Sequence, residues 1–356
     1  MANTSPSRLG AVNGAASNYA DANAIFLKKF AGEVLTTFEE TNVMKGLHTI
    51  RTINNGKSAQ FPVTGTATAG YHVVGEDLIN SSNSGGVQSI KHAEKIINID
   101  ELLVASTFIA NLDELKNHYD VRSIYSTELG RALSNKFDRQ TIQVGLLNAA
   151  TFSGGAATPA GPTISTTGNS GSVVHATAGT DTDDVRYLGN GSADMDTNGT
   201  RLAKAIYSAA QLLDEKDVPA ADRCVLVSPQ RYYNLVQAET SGGAALAINR
   251  DWDGRGSYAE GSVLKVAGIT VVKTNHIPAA TVGEETPGPN NSYEGEFGAQ
   301  VMGLVFHKSS IGTVKLQDLA TESEYQIQRQ GTLMVAKYAM GHGGLRPECG
   351  VVLMND

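Results

Sequence analysis

The stretch TINNGKSAQFPVTG, Thr52 to Gly65, decides how the first third of the chain is read. Its centre, Gly56-Lys57-Ser58, has the form of the end of a phosphate-binding loop. Such a loop needs another glycine five positions before Gly56, a buried strand ahead of it and a helix behind it, so that backbone N–H groups can cradle phosphate. Arg51 occupies that glycine position. Behind Ser58, apolar Ala59, Phe61 and Val63 alternate with polar neighbours, which is strand period, and Pro62 would break a helix. The phosphate reading therefore fails on spacing and on context. Asn55-Gly56 is a favoured hairpin-turn dipeptide because both residues tolerate positive φ. The sequence predicts a hairpin with HTIRTI and KSAQFPV as its arms and Lys57 at its tip.

Working outward, residues 48–94 form turn-punctuated extended chain with few large apolar residues, ending in KIINIDELLVAS. A long hairpin with so little core is marginal alone and needs something to lean on. Ahead of it, residues 1–20 are small and polar and read as an arm. Ile25, Phe26, Phe30, Val34, Leu35 and Phe38 then recur at helical spacing. Behind it, Val121, Tyr125, Leu129, Leu133 and Phe137 recur every four residues, predicting a helix from about Asn117 to Asn148, about 45 Å long. Its single apolar stripe predicts a helix lying across one surface.

Residues 151–200 are rich in Gly, Thr, Ser and Ala and read as an extended or loop-like insertion. After them the pattern turns α/β. RLAKAIYSAAQLLDEKDVP and PQRYYNLVQ read as helices, the second opened by Pro229. RCVLVS and GITVVKTNHIP read as strands, VMGLVFHKSSIGTVKL as two strands about a turn, and residues 325–353 as two more about the Gly-rich 341–344.

Composition sets bounds on function. The chain has 356 residues, 41% of them hydrophobic, and a formal net charge of −8. That length supports a sizeable core and two subdomains, and the acidic balance argues against general nucleic-acid affinity, which rests on Lys and Arg. Cys224 and Cys349 lack metal or disulfide-framework spacing. No signal-peptide core or membrane-length apolar run is visible, so a soluble chain with no membrane partner is expected.

The order of arm, long hairpin, long helix, α/β region and returning strands is similar to that of tailed-phage major capsid proteins. PAADRCVLVSPQRYYNL (219–235), VAGITVVKTNHIP (266–278) and AKYAMGHGGLRPE (336–348) carry the resemblance. GKSAQFPV, KNHYDVRSIYSTELG and HKSSIGTVKLQDLA narrow it to the short-tailed, T-seven-like podovirus branch. The resemblance spans most of 25–145 and 201–356. It implies an α+β, HK-ninety-seven-type capsid fold: N-terminal arm 1–45, E-loop 46–100, P-domain 101–150 with its spine helix, insertion 151–200, A-domain 201–319 and C-terminal P-domain strands 320–356. The E-loop's missing support would then be a neighbouring subunit, with Lys57 and Phe61 as contact residues; the plain alternative leaves Lys57 solvated.

The resemblance further implies hexamers and pentamers of an icosahedral shell around double-stranded DNA bound without sequence specificity. It implies a portal at one vertex, and a precursor shell built in the host cytoplasm that expands. Some relatives carry the scaffold as a coiled coil ahead of the arm. No sustained heptads precede the E-loop here, so a separate scaffolding protein is expected. Arg122, Glu128 and Arg131 on the helix's polar face, with Arg346 and Glu348 in the C-terminal motif, would pair across subunits or within one.

Other chemistry is weakly supported. His342 lacks spaced partners, and Asp181, Asp183, Asp184, Asp194 and Asp196 lack calcium-loop spacing with a closing Glu. YLGNGSAD lacks a strand-then-helix context, and no catalytic Ser/His/Asp order stands out. No cofactor and no enzymatic activity are expected. The competing readings are an encapsulin-like nanocompartment shell, a nucleotide-binding enzyme and a Gly/Thr-rich β adhesin. Some relatives crosslink Lys to Asn between subunits, but Lys57 has no matching motif here. Mature particles should therefore run at monomer mass on a denaturing gel; ladders above it would show crosslinking.

Overall fold

The computed structural model describes residues 42–355, apart from 66, 68, 80–88, 117–120, 154–155, 164–168, 177–178, 190–194, 197, 238–264, 279–290 and 298–299. Side chains of 113–114, 121–123, 126, 318–319 and 321 also lie outside the description. The expected arm, the helical pattern of 21–40 and most of the two loops 238–262 and 280–298 fall outside it too.

Strands β1 (Thr49–Thr52), β2 (Ser58–Thr64), β3 (His92–Asn98) and β4 (Leu103–Ala110) precede helices α1 (Asn111–Lys116) and α2 (Val121–Ala149). Next come β5 (Ala150–Ser153), β6 (Ala156–Pro159), β7 (Ser172–His175), β8 (Val185–Tyr187) and helix α3 (Gly199–Glu215). Then follow β9 (Arg223–Val227), α4 (Pro229–Val236), β10 (Lys265–Val266), β11 (Ile269–Lys273) and β12 (Val301–His307). The last strands are β13 (Ile311–Gln326), β14 (Gly331–Gly344) and β15 (Gly350–Met354). The chain divides into two units, and α2, β13 and β14 each run through both.

In the first unit (100–137 and 316–340 among the described residues), β4 pairs antiparallel with β14 from Ala110↔Gly331 to Leu103↔Tyr338. A short turn at Ile327–Arg329, ended by left-handed Gln330, joins β13 to β14. Lys337 and Glu322 meet there at 2.7 Å.

The second unit (43–99, 138–315 and 341–356) is built on a seven-stranded sheet of order β10-β11-β9-β12-β15-β7-β8. RCVLV, VMGLVF and GVVLM are buried along their whole length. Such continuous apolar runs mark strands covered on both faces. Helix α3 explains part of that cover: Leu202, Ile206 and Leu213 fall on one stripe and join Val225, Val227, Val351 and Leu353 in one core. Its start is capped by Asn198, whose side chain accepts from the N–H of Thr200 at 3.1 Å and of Arg201 at 3.3 Å.

The structure corrects several sequence expectations. HTIRTI and KSAQFPV are not the arms of one hairpin. β1 pairs parallel with β13, while β2 pairs antiparallel with β3 from Ser58↔Asn98 to Thr64↔His92. Gly56 does take positive φ (124°), so the turn is real, but it sends two strands to different sheets. Lys57 consequently lies at the root of the β2–β3 hairpin, not at its tip. Residues 151–200 are no separate insertion: β7 and β8 extend the main sheet beyond β15. Lys216 ties them down through Asp184 at 2.7 Å and Ser172 Oγ at 2.5 Å, and Arg186 pairs with Glu215. Likewise β15, expected beside the spine helix with 320–356, is a central strand of this sheet because its five residues are all apolar or glycine.

Helix α2 forms where the four-residue spacing placed it, but residues 140–146 are buried around the whole helix. Polar Gln140, Thr141 and Gln143 are buried there with Ile142, Val144 and Leu146, so no single apolar stripe marks that half. Leu353, fully buried in the β15 core, should lose about 2–5 kcal/mol of subunit stability on Leu353→Ala. Denaturant unfolding of the unassembled subunit would measure it; a loss below 1 kcal/mol would contradict a central β15.

Candidate assembly interface

The β2–β3 hairpin follows directly from alternation. In SAQFPVT, Ala59 is buried and Phe61 and Val63 are half-buried, while the residues between them are exposed. Arg51 braces this strand: its guanidinium stands 5.6 Å from the Phe61 ring centre and donates to Gln60 O at 2.7 Å. Beyond the paired ladder the hairpin carries apolar side chains into solvent. Tyr71 is 94% exposed, Val74 97% and Ile79 82%, with Val73 and Leu78 also exposed. A run of large apolar residues left in water marks an interaction surface.

The root of the hairpin is the opposite, closely packed and hydrogen-bonded. Ile99 N–H donates to Lys57 O at 2.9 Å, and Asn291 Nδ2 donates to Asn98 O at 3.0 Å. Ile97 is buried against Gly343, where an added Cβ would lie 2.8 Å from its Cγ1. A Cβ on Gly341 would overlap Asn98 O. The motif GHGG is therefore no tight turn, as the sequence suggested. It is the end of β14, and these glycines let another strand approach closely.

His342, within that motif, belongs to a buried chain of hydrogen bonds. His48 Nδ1 lies 2.6 Å from Met44 O, and a carbonyl only accepts, so Nδ1 carries the proton. Nε2 of neutral His48 then accepts from the Thr313 hydroxyl at 2.8 Å, and that oxygen accepts from His342 Nδ1 at 2.9 Å. His342 N–H donates in turn to Tyr293 Oη at 3.0 Å. Burial lowers the His48 pKa to about 4, with Lys308 adding to the effect, and lowers that of His342 to about 3, with His48 adding. Nearby, the buried Asp138 carboxylate accepts from the N–H groups of Val43 (2.9 Å) and Met44 (3.2 Å), fixing the chain where it enters β1.

The sequence's other candidates are dispersed. Lys57 is exposed and Phe61 half-buried under Arg51. Glu128 and Arg131 pair with each other one helical turn apart, at 3.3 Å. Arg122 is in α2, but its side chain lies outside the described residues. Arg346 is exposed and Glu348 half-buried in a short helical turn. Asp181 accepts from Tyr187 N–H, Asp184 pairs with Lys216 and Asp196 with Arg231, so these acids brace the fold. Asp194 lies outside the described residues. Sequence reading missed Asn291, Tyr293 and Phe297. For the two aromatics the signal was the alternation in SYEGEF, where Tyr293 and Phe297 are buried and the glutamates are exposed; Asn291 carried none. Phe297 meets the edge of Phe152 at 4.9 Å between centroids.

A two-stranded hairpin with a closely packed root and an apolar end in water, on a chain with an α/β sheet that has its own core, is the build of an assembly subunit. The chain belongs to the Gp10A-like major capsid protein family, whose pattern matches residues 60–354. It is 37% identical to the major capsid protein of Escherichia phage T7 over 347 residues, 92% of this chain and 91% of the relative. It is 35% identical to the major capsid protein of Enterobacteria phage T3, covering 96% and 94%. The capsid structure of cyanophage P-SCSP1u matches with a TM-score of 0.74 at 39% identity, covering 100% and 99%. The mature capsid of bacteriophage PhiM1, at 17% identity and TM-score 0.69, shares the fold. The expected HK-ninety-seven-type α+β fold and membership of the T-seven-like capsid branch hold. The chain is a structural virion protein that assembles with copies of itself, not an enzyme. The phosphate-loop reading also fails on the structure, since Ser58 opens a strand, not a helix.

The histidine chain has a pH signature. Both folded-state pKa values lie below the ordinary 6.5, so the unfolded chain binds protons first as pH falls. The contribution of these groups is full above about pH 6.5 and is lost progressively down to about pH 3–4. Thermal melting of the unassembled subunit should drop across that window, and His342→Gln should flatten the drop. Parallel curves for the two proteins would refute this account.

Proposed function

We propose that the subunit forms hexamers and pentamers of an icosahedral shell that encloses double-stranded DNA, and that a separate scaffolding protein directs a precursor shell that later expands. Assembly takes place in the host cytoplasm, with a portal at one vertex. The observation that carries this reading, beyond family membership, is the hairpin: it exposes Tyr71, Val74 and Ile79 almost completely, and among the described residues no second layer covers them. A neighbouring copy supplies that layer in every subunit of a closed shell.

In this reading the second unit's sheet with α3 and α4 is the A-domain, including β7, β8 and β15. The first unit, with the early turns of α2, is the core of the P-domain. Lys57 acts at the E-loop root, and Phe61 within it helps seat the hairpin on the next subunit. Arg122, Arg346 and Glu348 are candidates for contacts between subunits. Glu128 and Arg131 are weaker candidates, because they already satisfy each other. DNA is held by enclosure, consistent with an acidic chain.

Negative-stain electron microscopy of the purified chain, produced with and without its scaffolding protein, tests the proposal. Uniform shells are expected only with the scaffold. Uniform, correctly sized shells from the chain alone would remove the scaffold from the proposal, and a monomer under both conditions would overturn it. Tyr71→Ser with Val74→Ser should abolish shells while leaving the subunit's melting temperature unchanged, since both side chains are already in water.

A further inference from the structure

We propose that Asn291 and Tyr293 are positioning residues for assembly: they fix the angle at which the β2–β3 hairpin leaves its unit, and so the geometry at which one copy meets the next. The consequence for the shell rests on the reading above; the positioning itself rests on the geometry of one chain.

The end of β3 and the residue after it are gripped in three different ways. Ile97 fills a slot floored by Gly343, with Gly312 also close (3.1 Å from an added Cβ to Ile97 Cδ1). The carbonyl of Asn98 lies on Gly341 and accepts from Asn291 Nδ2. The N–H of Ile99 returns to Lys57 O, closing the hairpin. Of these, the slot holds a side chain by shape, and the Ile99 bond joins the hairpin's two strands to each other. The Asn291 bond differs, because it ties hairpin backbone to a segment 193 residues away in sequence. Tyr293, two residues on and 1% exposed, anchors that segment: its Oη accepts from His342 N–H, and its ring lies 5.9 Å from the His342 ring. Asn291 thus works from a fixed base, and the base stands on the strand end that floors the Ile97 slot.

Leverage makes this bond matter more than its own strength. Seven residues of paired strand reach about 24 Å at about 3.4 Å per residue. A rotation of about 10° at the root moves the far end of the ladder by about 4 Å. Packed interfaces tolerate far less, since partners in preorganised complexes shift by about 1 Å or under. Outward of the root, Ile90 and Ile96 are exposed and the Arg51 brace reaches only Gln60 and Phe61, so the far end of the ladder takes its direction from the root and the strand beside it.

The test uses the full chain with Asn291→Ala and, separately, Tyr293→Phe, which removes only the hydroxyl. Hydrogen exchange on the unassembled subunits should accelerate at least about tenfold at amides 93–99 and stay at parental rates in the β9, β12 and β15 core. Melting temperature should change by no more than a few degrees. Produced with scaffold, both variants should give shells of mixed diameter or open sheets. If Asn291→Ala fails to fold, Asn291→Asp, which keeps the shape and loses the donor, takes its place. Parental exchange at 93–99, or uniform parental shells despite faster exchange, overturns the proposal. Failure of the parental chain to form shells would instead strike the shell reading, and the exchange data would still decide the positioning.

Discussion

A two-stranded hairpin has one face too many. Strands β2 and β3 pair along their facing edges, but no described residue of the pair covers the large apolar residues beyond the ladder. Five of them, Tyr71, Val73, Val74, Leu78 and Ile79, stand in water. Burying each on a neighbour stabilises by about 1.5–3 kcal/mol, or about 8–15 kcal/mol together. Association of two free subunits costs about 4–15 kcal/mol in lost freedom. The two ranges overlap, so a single hairpin contact is marginal. That is the useful regime for a shell, because a misplaced subunit can leave. In a closed lattice each copy gives and receives such contacts, and later ones form at high effective concentration.

A marginal contact works only if it is aimed. The aim comes from the root, where distant pieces of chain converge within one unit: Asp138 on the entry to β1, Thr313 and the two histidines behind it, Gly341 and Gly343 against β3, and the 291–297 segment alongside. The arrangement is polar as well as apolar, and the links from Met44 O through His48, Thr313 and His342 to Tyr293 each have a defined donor and acceptor. Protonating His48 at Nε2 would turn an acceptor of the Thr313 hydroxyl into a competing donor. Such directional networks hold one geometry where apolar packing alone tolerates several.

Some of this was legible in the sequence because it is periodic. Alternation in SAQFPVT and the four-residue spacing of Val121 to Phe137 located the hairpin strand and the long helix. The apolar runs RCVLVS and VMGLVF located central strands. What periodicity cannot show is pairing. Asn55-Gly56 signalled a turn, and a turn usually joins strands that pair, yet β1 and β2 go to different sheets. GHGG signalled a turn as well, but its glycines serve close approach by β3, a fact that exists only once β3 is in place. Residues 151–200 looked like an insertion because SVVH and VRY are too short to register against their Gly/Thr-rich flanks. The family motifs reached the fold class for a different reason: they span whole segments in order and need no pairing rule. They did not single out Asn291 or Tyr293, which lie outside the stretches that carry the resemblance.

The hairpin and the pieces that aim it are far apart along the chain. Thr313 meets His48 across 265 residues, and Asn291 meets Asn98 across 193. Contacts of such long separation form late, because loop closure must precede any reward. The sheet has the same character: β15 lies between β12 and β7, so β7 has no neighbour on that side until residues 350–354 arrive. A chain lacking its final strands would therefore carry the exposed apolar run of 71–79 without the root that directs it. Correct aim thus reports that the whole subunit has folded. An unaimed hairpin can make only a marginal contact, one copy at a time, without the repetition that makes a lattice hold.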